Sequence, residues 1–240
     1  MKLTYKTIPA LCLVTLTATA CAAHNAAPAK PANSPTTSAV AQPPVPPAVA
    51  KAARALGAGL LASVDGMKKV YGPESGAFGG LTATRRGLEA MAKTKVDKPG
   101  CATTGQLDAQ APAVRDAPAA VVSFMSKSRT ITEALIELPE KDAVKRFPGL
   151  QPGCEKYTLS SGDAKMTYTT RPVELPRRGD RVSAFLTSVE GTGIDLKLGS
   201  VALRRGNVVM SLLVVGSKVD RKDLLDQTDK AYAALIKVVK

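Results

Sequence analysis

The second half of the chain alternates apolar and polar residues with the period of an extended strand. Residues 130–138 (TITEALIEL) put Ala134, Ile136 and Leu138 on one side and Glu133 and Glu137 on the other. A strand reading therefore places both glutamates on an outward, solvated face. Residues 157–160, 166–173, 182–190 and 194–198 continue the series. Residues 201–204 and 208–215 flank Arg205-Gly206-Asn207, where glycine and asparagine can take positive φ at a hairpin turn. The period then changes to that of a helix. Leu224, Leu225, Thr228, Ala231, Tyr232, Leu235, Ile236 and Val239 share one face, and Lys222, Asp226, Asp229 and Lys237 lie largely on the other. Ser217 and Asp220 resemble a capping box ahead of it.

The first half of the domain is less periodic. Residues 48–62 (AVAKAARALGAGLLA) favour a helix weakened by Gly57 and Gly59. Ser63 and Asp65 then suit the cap of a second short helix over 66–71, closed by Gly72, with Met67, Val70 and Tyr71 on its apolar side. Residues 73–100 read as irregular, and 141–146 as a short helix. Helix, hairpin-rich sheet and covering helix together predict an α+β domain. Its antiparallel sheet would be packed by the N-terminal and C-terminal helices.

The chain begins with an address. Lys2 and Lys6 precede a thirteen-residue apolar run, 8–20 (IPALCLVTLTATA). About 20 apolar residues are needed to span a bilayer core, whereas an export leader needs only about 7–15. Ala18-Thr19-Ala20-Cys21 resembles the lipobox of bacterial lipoproteins, in which the cysteine sulfur receives diacylglycerol. Ala18 stands where leucine is usual, and an ordinary secretory leader ending in an A-x-A-like site is the alternative. The lipoprotein reading makes 1–20 a signal peptide and places Cys21 on the extracytoplasmic side of the cell membrane. Two acyl chains suffice for stable anchoring. Residues 22–50 hold ten alanines, seven prolines and no aromatic side chain, too little apolar bulk to offset ordering entropy. Residues 21–50 thus read as a flexible tether and 51–240 as one domain.

The formal charge of +13 falls by two when the leader is lost. Such an excess favours anionic surroundings, including lipid headgroups, phosphate-rich wall polymers and acidic ligands. No basic helix interleaved with aromatics and no nucleic-acid motif is present, so nucleic acid is not an expected partner. The pairs Arg85-Arg86, Arg177-Arg178 and Arg204-Arg205 read as exposed loop charges.

Four cysteines divide by position. Cys12 leaves with the leader, Cys21 takes lipid, and Cys101 and Cys154, each preceded by Pro-Gly, remain to form one structural disulfide in an oxidising compartment. The only histidine, His24, lies in the tether. Histidine-dependent nucleophilic schemes are thereby excluded from the domain. No phosphate loop, dinucleotide fingerprint or metal-ligand spacing occurs, so no catalytic residue, metal site or cofactor is expected. Tyr157, Tyr168, Tyr232, Phe147 and Phe185 read as core or cleft lining.

Several short motifs resemble the PknH-like extracellular sensor domain family. They are Leu60-Leu61-Ala62-Ser63-Val64-Asp65 through Met67 to Tyr71-Gly72; Pro99-Gly100-Cys101; and Phe147-Pro148 followed by Pro152-Gly153-Cys154-Glu155-Lys156-Tyr157-Thr158. The likeness covers roughly 55–240. The family includes the external domain of a mycobacterial receptor kinase and many actinobacterial lipoproteins. The chain lacks that domain's second cysteine pair over 201–215 and carries no kinase motif. The resemblance implies an α+β scaffold with a groove for an unidentified small extracellular molecule, lipid or cell-wall fragment. A scaffold or adaptor protein docking on another envelope protein is the competing expectation, and oligomeric state is open.

Overall fold

The computed structural model describes residues 45–191 and 193–239. The leader, Cys21, His24 and most of the tether lie outside the described residues. The architecture is α+β, built on one nine-stranded sheet in which every neighbouring pair is antiparallel.

Helix α1 (Pro47–Gly57) opens with proline at a position that needs no N–H, and it starts slightly ahead of residue 51. It buries Ala53 and Leu56. Strand β1 (Lys68–Ala77) follows, where a short helix was expected. Pairing with β3 (Pro118–Met125) decides the matter, and register shifts between Lys69 and Tyr71 and between Tyr71 and Glu74 erase the alternation that identifies a strand. Residues 73–100 are not irregular either, because they include α2 (Thr82–Ala92) and the two-residue strand β2 (Lys95–Val96). No residue of α2 is fully buried.

The short helix α3 (Pro112–Arg115) leads into β3, and the hairpin continues through β4 (Arg129–Glu137) to α4 (Glu140–Lys145). A meander then runs through β5 (Lys156–Ser161), β6 (Ala164–Pro172), β7 (Arg181–Gly191), β8 (Ile194–Arg205) and β9 (Val208–Gly216). Helix α5 (Arg221–Leu235) closes the chain. The strand order is β1-β3-β4-β9-β8-β7-β6-β5-β2, so the earliest strands occupy the two edges.

Strand β8 is continuous where two strands were expected. Gly199 does not end it; a Cβ there would collide with Leu224 and Val219, so the glycine lets α5 lie close on the sheet. At the β8–β9 turn only Gly206 takes positive φ, at 59°. The cap of α5 is Asp220 with Asp223, not Ser217 with Asp220, and both reciprocal hydrogen bonds are made.

Both faces of the sheet are covered. On one, α1, the 58–67 loop and α5 bury Leu61, Phe124, Leu135, Met210 and Leu212. On the other, the segments crossing between the sheet edges bury Leu81, Val114, Val121, Ile136 and Val209. A third cluster forms around Cys101, Cys154, Tyr157 and Tyr168. All three draw their buried side chains from within residues 56–235, so this segment supplies its own cores.

Candidate functional site

A concavity follows α1 across the end of the sheet where β4 finishes and β9 begins. Two adjoining hollows of about 390 Å³ and 420 Å³ share Ala52, Glu137 and Asn207. Each falls within the range of small-molecule sites, roughly 300–1,000 Å³. The walls are mostly apolar, with Val49, Leu56, Val208, Leu138 and Val238 prominent. The polar side chains lining the hollows are Glu137, Asn207 and, at one end, Glu140. Among the described residues no lysine or arginine lines either hollow, although the chain is strongly basic. An apolar ligand with a neutral or cationic donor group matches this lining better than an anion does.

Asn207 is fixed twice to the end of β4. Its carbonyl accepts the Leu138 N–H at 2.8 Å, and its side-chain amide donates to Glu137 Oε1 at 2.8 Å. The β8–β9 turn therefore holds the groove's polar pair in place. Sequence reading recognised Asn207 as a turn residue and Glu137 as surface. The available signal was a carboxylate ending a strand whose neighbours are apolar.

Glu133 corrects the expected solvated pair more sharply. The alternation along β4 is as read, but its glutamate face lies under α1, the 58–67 loop and α5. Glu133 is 0 % exposed. Its Oε2 accepts the Leu61 N–H at 2.7 Å, while its Oε1 has no hydrogen-bond partner. Burial pushes its carboxyl up to about 8 from 4.5, against the smaller lowering effect of the Leu61 N–H. At neutral pH this side chain is a buried, neutral carboxylic acid.

Cys101 and Cys154 are joined, with Cα atoms 5.2 Å apart. The bond ties the 3₁₀ turn Pro99–Cys101 to the start of β5, beside the β2 edge. Next to it, Tyr157 and Tyr168 stack across β5 and β6 with ring centroids 5.1 Å apart. Burial raises the Tyr157 phenol to about 12 and the Tyr168 phenol further, with the Tyr157 charge adding to the latter. Phe147 and Phe185 are buried and Tyr232 packs partly against the main core.

Two of the arginine pairs are more than loop charges. Arg204 is largely buried, 3.4 Å from Asp180, and donates to the Gly206 carbonyl at 2.9 Å. Arg178 pairs with Asp229 of α5 at 3.0 Å. The hydroxyl pairs Ser123–Thr132 and Thr170–Thr187, at 2.9 Å and 2.8 Å, are cross-strand neighbours in register. Among the described residues no group of three or more potential ligands could hold a metal ion, and no helix is long and apolar enough to cross a membrane.

No protein-family model matches the chain. No match among curated proteins was found either. By shape, the chain is similar to the crystal structure of the extracellular domain of PknH from Mycobacterium tuberculosis. The TM-score is 0.48 at 11% identity, covering 78% of this chain and 89% of that one. It is also similar to the X-ray structure of an uncharacterized protein from Mycobacterium smegmatis. There the TM-score is 0.46 at 16% identity, covering 78% of this chain and 96% of the other. Both likenesses are of fold.

Proposed function

We propose that this chain is a non-enzymatic binding module of the cell envelope, lipid-anchored through Cys21. It holds a small, largely apolar extracellular molecule in the groove along α1. The observation that carries this reading is the groove itself: apolar walls converging on the hydrogen-bonded Glu137–Asn207 pair, at small-molecule size. The Cys101–Cys154 bond supports an oxidising, extracytoplasmic setting. The absence of histidine from residues 45–240 removes the commonest acid–base and nucleophile-activating group.

The test uses residues 45–240, incubated with envelope lipid extracts and soluble wall fragments and then analysed by native mass spectrometry. Ala52→Trp places an indole in the wall shared by both hollows. The expected result is a retained small molecule in the wild type that is lost in Ala52→Trp. Retention of nothing, or equal retention by the variant, overturns the reading.

A further inference from the structure

Among the described residues no cation lines the groove, and the sheet gathers part of the chain's positive charge at the opposite end of the same strands. Lys68 opens β1 opposite Met125, the last residue of β3. The β3–β4 turn then passes through Lys127. Arg129 opens β4 opposite Gly216, and Lys197 of β8 faces Gly216 from the other side. Arg129 also donates to the Lys218 carbonyl at 3.1 Å, drawing Lys218 into the row. Adjacent strands lie about 4.8 Å apart, so these cations span roughly 20 Å across five neighbouring strands.

Lys68, Lys69, Lys127, Lys197 and Lys218 are exposed, and none forms an ion pair among the described residues. The nearby carboxylates of α5 and of the 58–67 loop are already engaged. Asp220 and Asp223 close the α5 cap, Asp223 also pairs with Arg129, Asp226 pairs with Lys222, and Asp65 pairs with Lys230. Glu190 and Asp195, opposite each other at the β7–β8 tip, bound the patch on its far side. Lysines on an open edge strand also discourage pairing with another chain. That accounts for Lys68 and Lys69 but not for Lys127, Lys197 and Lys218, which sit on interior strands or turns. Val70, next in sequence after Lys68 and Lys69, has 37% of its surface exposed.

We infer that this end of the sheet docks the domain on an anionic lipid bilayer, its lysines toward the headgroup phosphates and Val70 at the interface. The attraction falls off within a Debye length of roughly 8–10 Å, so it acts only when this end faces the membrane. Each lysine removed weakens such binding by about fivefold.

The test is sedimentation of residues 45–240 with phosphatidylcholine vesicles, with and without about one-third phosphatidylglycerol, at low and high salt. Binding is expected only to the anionic vesicles at low salt. The triple variant Lys68→Glu, Lys127→Glu and Lys218→Glu should lower it by roughly 100-fold or more. Lys51→Glu, Lys141→Glu and Lys145→Glu make the same charge change on exposed residues near the groove and should retain most of it. Equal loss in both variants would reduce the effect to net charge and overturn the assignment. So would absence of vesicle binding, including the case in which soluble polyphosphate binds instead.

Discussion

The Leu61 N–H donates to Glu133 Oε2 at 2.7 Å, joining the loop after α1 to the centre of the sheet through a carboxyl group that water does not reach. On β4, Glu133 faces Val122 of β3 on one side and Leu212 of β9 on the other. Among the described residues no cation pairs with it. The neutral acid is therefore the form the fold accommodates.

The sign of the pH dependence follows. An unfolded glutamate loses its proton near 4.5, whereas Glu133 in the fold keeps it to about 8. Between those values the native state binds more protons at this site, so the contribution of Glu133 to stability is greatest below about pH 4.5, falls as pH rises, and levels off above 8. The loss is on the order of 3 kcal/mol at pH 7. Glu133→Gln keeps an acceptor for Leu61 and removes the ionisation. Urea denaturation at pH 5, 7 and 9 should show the slope in the wild type and a nearly flat profile in the variant. Parallel profiles would mean that Glu133 does not govern it.

Leu61→Ala separates the loop's apolar contribution from this hydrogen bond. The backbone N–H survives, so the pH slope should persist while overall stability drops by about 2–5 kcal/mol, as for other buried leucines. Unchanged stability in chemical denaturation would show that the loop is not part of the cooperative core.

Loss of the disulfide should be felt across the β2–β5 edge. The bond closes a loop of 53 residues, which the chain-entropy model values at roughly 4 kcal/mol. The double variant Cys101→Ala, Cys154→Ala should melt well below the wild type and should not respond to reductant. A melting temperature equal to that of the oxidised wild type would count against a structural role.

Gly199→Ala tests the seating of α5. Alanine normally suits a strand better than glycine, yet here its methyl group meets Leu224 and Val219. The expected cost is about 1–3 kcal/mol, read from thermal unfolding. A stabilised variant would show that α5 can shift outward without loss.

The sequence alone was enough to identify β4 and β9 as strands, the β8–β9 turn at Gly206-Asn207, the terminal helix and the two cysteines available for a bridge. Each is written locally, in alternation, turn chemistry, helical spacing or position. It did not disclose β1, whose bulges hide its period, or α2, which buries no residue completely. Strand β3 (PAAVVSFM) also escaped notice, because burial on both faces replaces alternation with a continuous apolar run. Tertiary structure decided what lies over each face. Glu133 alternates as a surface residue does, and only the placement of α1, the 58–67 loop and α5 over that face makes it a buried acid. The groove and the basic row depend likewise on which strand ends the topology brings together, because residues distant in sequence become neighbours only through strand order and register.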